Sequence, residues 1–216
     1  KKYGRHSVLD NISFEIEKGE CIGIAGANGS GKTTLLSIIS GMIKADKGKI
    51  LADGKIISDS PKNISKYISY VPQENPLINE LTAIDNLRLW YSGNKKELKN
   101  ELENGSLNFL GINEFANKTV SKISGGMKKR LSIGIALLEK PELLIMDEPS
   151  AALDLAGKYR IKEYMKQYTA NMNGSVLVVS HDQNELSICD KLFLLKDGHL
   201  KQIDSSLTDS ELINLL

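Results

Sequence analysis

Apolar residues recur along this chain with two periods, and the two alternate. Short runs that are continuously apolar, or apolar at every second residue, mark strands; apolar residues three and four apart mark helices. The run "ECIGIAG" reads as a buried strand, and "TTLLSIISGM" after it as a helix starting near Lys32. Upstream, "SFEIEKGECIGIAG" predicts a hairpin turned at Lys18-Gly19, and "KILADGKII" predicts another around Asp53-Gly54. "ISYVPQ" is a short strand stopped by Pro72. From about Asn75 to Leu138 the pattern becomes mostly helical. There "LTAIDNLRLWYS" begins at an N-cap, Thr82, and the charged "KKELKNELENGSLNFLG" is expected at the surface. "GGMKKRLSIGIALLEK" puts Met127, Leu131, Ile135 and Leu138 on one stripe that ends before Pro141. Strand character returns in "ELLIMDEP" and "SVLVVSH", and "LFLLKDGHLKQI" is a closing hairpin around Asp197-Gly198. The alternation predicts an α/β fold: a mixed sheet with flanking helices, antiparallel β hairpins, and a helical insert at about 75–140 within one domain spanning 1–216.

The strand, glycine-rich turn and helix at "GANGSGKTT" carry the first chemistry. Gly26, Gly29 and Gly31 fall within six residues, followed by Lys32, Thr33 and Thr34. Glycine costs backbone entropy, so such a cluster needs a turn with positive φ or a ligand close to the backbone. A helix N-terminus at that point offers N–H groups and the positive end of a dipole to an anion. The spacing Gly26-x-x-x-x-Gly31-Lys32-Thr33 matches the P-loop form, in which the lysine reaches the β- and γ-phosphates and the hydroxyl serves Mg²⁺. A flexible turn that happens to contain Lys-Thr is the bland alternative.

Further chemical positions stand at strand ends, where α/β proteins hold ligand groups. Asp147 and Glu148 end the apolar "LLIMDEP". Adjacent carboxylates there are costly unless a cation or a reaction uses them. Asp147 suits a Mg²⁺ shell and Glu148 a general base for an attacking water; a solvated strand end is the plain alternative. In "ISGGM", Ser124 is an N-cap and Gly125-Gly126 open a second anion-ready helix, although Ser-Gly-Gly is also an ordinary turn. His181 ends the apolar "VVSH": a lone histidine is more often structural, but the strand-end position favours a site role, whereas Gln73 after Pro72 would by itself mean nothing.

Composition narrows the classes. The 216 residues are 41% hydrophobic, enough for a sizeable core. With 28 basic and 27 acidic side chains mixed along the chain, the net charge of +1 gives no field that suggests nucleic acid. Cys21 and Cys189 lack metal spacing and are expected as buried thiols in a reducing compartment. No run of eighteen apolar residues occurs and no signal peptide is read. The chain opens on "KKYG" without an initiator Met, so preceding residues are expected.

In order, Tyr3, "GANGSGKT", "VPQ", "ISGGM", "LLIMDEP", "SAALD" and "VVSH" resemble the ATP-binding subunit of ABC transporters, from Tyr3 to about Ile203. The resemblance implies a P-loop NTPase core with an antiparallel β subdomain and an inserted α-helical subdomain. It implies Tyr3 against adenine, and Gly26, Ala27, Asn28, Gly29, Ser30, Gly31, Lys32, Thr33 and Thr34 around the phosphates of ATP. Gln73 would touch Mg²⁺ or the water and sense the membrane subunit; Thr33 and Asp147 would hold Mg²⁺. Ser124, Gly125 and Gly126 form the signature, Ser150 to Asp154 the D-loop, with Asp154 in the nucleotide set, Glu148 the base, and His181 the switch at the γ-phosphate. It further implies a head-to-tail pair of ATP-binding subunits, a transmembrane permease subunit, and a place on the inner face of the cell membrane. That pairing would explain two anion-ready helix termini with only one P-loop lysine.

The chain departs from the family pattern at Met127, where the signature usually ends in Gln. "SGGM" before "KKRL" is similar to the exporter branch with ABC-2-type membrane subunits. "FANKTVSK" lacks the Glu-x-Gly element of fused multidrug exporters, and a regulatory domain after the core is not expected. The rival reading is a soluble ATPase of the same superfamily, such as one in iron–sulfur cluster assembly. A non-hydrolysing nucleotide switch is disfavoured by Glu148 and His181.

Overall fold

The computed structural model describes the chain except residues 152, 172, 173, 206, 208 and 216. In chain order the elements are β1 (Lys2–Tyr3), β2 (His6–Ser7), β3 (Cys21–Ala25), α1 (Lys32–Ile39), β4 (Leu51–Ala52), β5 (Lys55–Ile56), α2 (Pro61–Ile64) and β6 (Ile68–Val71). Four helices follow: α3 (Ala83–Trp90), α4 (Lys95–Asn104), α5 (Ser106–Phe109) and, after two short 3₁₀ turns, α6 (Gly125–Leu137). The chain ends with β7 (Leu143–Asp147), α7 (Leu155–Asn171), β8 (Ser175–Val179), α8 (Gln183–Leu186), β9 (Lys191–Lys196), β10 (His199–Ile203) and α9 (Asp209–Leu215).

Six strands form one sheet in the order β10-β9-β3-β8-β7-β6. All neighbours are parallel except β10 on β9, which closes through Asp197-Gly198 with φ of 50° and 79°. The inner strands are buried on both faces, which is why they read as continuous apolar runs. On one face Ile22, Ile24, Ile145, Leu177 and Val179 pack with Leu35, Leu36 and Ile39 of α1. On the other, Met146, Val176 and Val178 belong to a cluster that runs without a break through Tyr164 of α7, Leu131 of α6 and Leu87 of α3. The two short antiparallel ladders, β1/β2 and β4/β5, lie outside this sheet.

Local signals account for the helix starts. Thr82 Oγ1 accepts from the Asp85 N–H, Asn94 and Glu97 form a reciprocal capping box, and Ser124 Oγ accepts from the Met127 N–H. Two expectations change. Residues 12–17 alternate in burial, and the Phe14 ring lies 5.8 Å from that of Phe193, yet they form no strand ladder; the alternation reflects packing on the sheet. On α6, Leu131 and Leu138 are buried, but Met127 and Ile135 only half so, while Ile133, Gly134, Leu137 and Lys129 are also buried. The helix is covered from two sides, by β6 and by α3 and α5, so no single stripe describes it. A Cβ on Gly134 would come within 2.4 Å of Ile112 Cδ1, so the approach needs glycine. Helix α4 is the expected charged surface element, but Leu98 and Leu102 anchor it. Cys21 and Cys189 are buried thiols with Sγ atoms 3.5 Å apart; this contact and burial push the Cys189 thiol far up.

Candidate functional site

The C-terminal end of β3 runs into the glycine loop, and α1 begins immediately after it. Gly29 and Gly31 have φ of 81° and 103°, a region that favours glycine. At Gly26 a Cβ would meet the Leu195 carbonyl oxygen at 2.6 Å and Ser30 Oγ at 2.7 Å. Gly31 is pressed by Val8 and Leu9, which follow β2, so the β1/β2 hairpin adjoins the loop. Ala27, Asn28 and Gly29 are exposed, while Ser30 Oγ is buried without a hydrogen-bond partner among the described residues. Lys32 is 9% exposed, and its Nζ donates to the carbonyls of Gly26 and Ala27 at 2.6 and 2.9 Å. Burial lowers its pKa, and the carboxylates of Glu148 and Asp147 oppose the shift.

Strand β7 brings the two carboxylates to the same end of the sheet. Thr33 Oγ1 donates to buried Asp147 Oδ2 at 3.4 Å, and the Tyr70 hydroxyl donates to the same oxygen at 3.2 Å. Burial, then the neighbouring Asp147, raises the Tyr70 phenol. Glu148 has φ of 47°, unusual for a residue with a side chain, and its Oε1 lies 3.3 Å from His181 Nε2. Register explains the meeting: Asp147 pairs Val179 of β8, two residues before His181. Burial holds the Glu148 carboxyl above its ordinary range, aided by Asp147 and opposed by His181 and Lys32. Lys32, Thr33, Asp147, Glu148 and His181 therefore meet at the C-terminal ends of β3, β7 and β8. Their hard oxygen donors, Thr33 Oγ1 and Asp147 Oδ2, are the set a magnesium ion takes.

The Ser124–Gly126 residues stand apart from that cluster. Ser124, Gly125 and Gly126 line a different cavity, of about 350 Å³, with Arg130, Asp154 and Arg160; no glycine-loop residue lines it. A Cβ on Gly125 would meet nothing within 4 Å, whereas Gly126 lies against Leu153. Asp154 Oδ1 accepts from the Gly157 N–H at the start of α7. Ser150 is buried; Ala152, inside the expected D-loop, lies outside the described residues. Gln73 is exposed beyond the end of β6, and Thr34 is half-buried on α1. Tyr3 is 52% exposed, with Lys1 Nζ 5.6 Å from its ring centre.

Three residues beside the site gave no usable signal in the sequence. Tyr70 is one aromatic in an apolar strand; only the pairing of β6 with β7 takes it to Asp147. Lys129 sits in a basic run that reads as a solvated face, yet it is buried. Glu185 is buried beyond His181, its carboxyl facing the Ser150 and Ser180 hydroxyls without a well-formed hydrogen bond, and burial raises its pKa.

A glycine loop beside two carboxylates and a histidine at the ends of parallel strands is a nucleotide-phosphate site. The chain belongs to the ABC transporter family, whose domain matches residues 9–151. It is 38% identical over 205 residues to the linearmycin resistance ATP-binding protein LnrL of Bacillus subtilis, covering 93% of this chain and 65% of that protein. It is 34% identical over 206 residues to the spermidine/putrescine import ATP-binding protein PotA of Mycoplasma mycoides, covering 94% and 58%. The chain thus spans less than two thirds of either relative. Among solved structures, a dimeric ATP-binding cassette in a post-hydrolysis state with ADP and Pi superposes with a TM-score of 0.82, at 29% identity over 96% of both chains. An ATP-binding subunit of an ABC transporter gives 0.85, at 26% identity over 99% and 94%.

Proposed function

We propose that this chain is an ATP-hydrolysing subunit that closes in pairs around ATP and drives separate transmembrane permease subunits. The observation that carries this reading is the division of labour: the glycine loop, carboxylates and histidine meet at the C-terminal ends of β3, β7 and β8, while the Ser124 helix terminus opens into a separate cavity. Two anion-binding faces on one molecule suit a triphosphate held between two copies.

In this mechanism the loop amides and Lys32 bind the β- and γ-phosphates, with Tyr3 against the adenine. Thr33 and Asp147, joined by Gln73, would hold Mg²⁺, which supplies charge neutralisation on the phosphate oxygens when bound. Glu148 takes a proton from water as the water oxygen bonds to the γ-phosphorus and the bond to the bridging oxygen breaks, giving ADP and phosphate. His181, 3.3 Å away, orients Glu148 and faces the γ-phosphate. Ser124 with the Gly125-Gly126 backbone of a second copy grips the same phosphate, and Asp154 lies in that shared face.

Connectivity supports one domain over 1–216 with the 75–140 segment inserted: β6 and β7 are sheet neighbours, and α3 to α6 form the connection between them. No helix among the described residues is long and apolar enough to cross a membrane. Attachment to the inner membrane face is assigned to the permease. The "SGGMKKRL" run supports membrane subunits of the ABC-2 type.

Two experiments test this reading. Lys32→Ala should weaken ATP binding by about ten- to a hundredfold, since a buried charge-assisted contact worth about 1.5–3 kcal/mol is lost. Unchanged affinity in calorimetry would remove Lys32 from the phosphate site. The permease should dock near Ile78, which is 45% exposed beside half-buried Leu77 and Leu81. A cysteine at Ile78 should crosslink to a polytopic membrane protein co-purified with the chain; crosslinks confined to the opposite face would count against this.

A further inference from the structure

Lys129 is a buried cation that the chemistry above does not use. It is 2% exposed, and no carboxylate among the described residues lies within ion-pair distance. Its Nζ instead donates to the carbonyl oxygens of Pro72 and Gln73, each at 2.9 Å. A buried ammonium is expensive unless its donors are satisfied, so these contacts fix both the side chain and the loop it holds. The carboxylates of Asp147, Glu185 and Glu148 favour its charge from farther off, against the opposing effect of burial. Lys129 also lies one helical turn after Gly125 on α6, so the lysine and the Ser124–Gly126 terminus belong to one rigid element.

We infer that Lys129 is a positioning residue: it ties the Gln73 segment to the Ser124 helix, so that engagement of that helix by a second copy's nucleotide moves or holds Gln73 of its own copy. This rests on the role proposed above for Gln73. A coupling of this kind would make hydrolysis at each site responsive to whether the other face is occupied, because both faces share α6. Loss of the two hydrogen bonds frees the chain just beyond β6, where Gln73 must be held in place to serve the Mg²⁺ site.

The test combines Lys129→Met, Lys129→Arg and Gln73→Ala. Methionine keeps the length and removes the charge; arginine can still donate to two carbonyls. In the nucleotide-free protein, Lys129→Met should speed exchange of the Leu77 and Ile78 amides, which are bonded to Asn75 and Asn86, while the β8 amides stay unchanged. In turnover it should lower kcat by about ten- to a hundredfold with little change in KM, and Lys129→Arg should recover most of the loss. In the Gln73→Ala background, Lys129→Met should cost nothing further. Equal acceleration at β8 would show a general loss of stability and overturn the inference, as would losses that multiply in the double variant. If the wild-type protein hydrolysed no ATP, the proposed function would fail, and the amide exchange would still decide whether Lys129 holds the loop.

Discussion

Glu148→Gln is expected to bind ATP as the unaltered protein does and to hydrolyse it about two to four orders of magnitude more slowly. The argument is geometric. Glu148 is mostly buried, stands next to Asp147, and is held at φ of 47° with its carboxylate 3.3 Å from His181. A backbone conformation that disfavours side chains persists only where surrounding structure imposes it, and such sites cluster where chemistry occurs. Glutamine keeps the shape and the contact with His181 but cannot accept the proton of an attacking water. The phosphate-binding parts, Lys32 and the glycine loop, are untouched, so affinity should hold. Phosphate release under saturating ATP, with an ATP titration in parallel, measures both quantities. Full turnover in the variant would mean that another group is the base.

ATP is expected to convert the Glu148→Gln protein from monomer to dimer. Without nucleotide, the glycine loop and a facing Ser124 terminus would be two electropositive helix ends with nothing between them. A triphosphate satisfies both, together with Lys32. If the second face adds about 2–3 kcal/mol per nucleotide, two nucleotides shift the dimer equilibrium by about three to four orders of magnitude. Only this differential affinity counts, since ATP held equally well by monomer and dimer shifts nothing. Size-exclusion chromatography reads the change directly. Ser124→Arg should abolish it by placing a bulky cation in the facing cavity, where Arg130 and Arg160 already contribute positive charge. A dimer that formed equally well without ATP would refute the role of nucleotide as the joining group. Failure to dimerise with ATP would mean that a permease, or a different ATP-binding chain, must align the two copies.

Much of this molecule was legible before its tertiary structure. The apolar runs of β3, β7 and β8, the caps at Thr82 and Ser124, and the turns at Asp53-Gly54 and Asp197-Gly198 all formed as their residues indicated. Each depends on neighbours within a few positions, where propensity and hydrogen bonding act directly. The glycine loop was legible for the same reason: its Gly, Lys and Thr residues are contiguous, so their spacing is itself the geometry. Tertiary structure decided how distant residues combine. Thr33 reaches Asp147 across 114 positions, and Tyr70 reaches the same carboxylate across 77. Those meetings follow from the sheet order β10-β9-β3-β8-β7-β6, which is not chain order and leaves no mark in local periodicity. The same cause hid Lys129: whether a lysine in a basic run meets water or two carbonyls depends on what packs over α6. It also separated the two anion-ready helix ends, since the glycine loop follows β3 while Ser124 rides on a helix reached only after the long connection from β6.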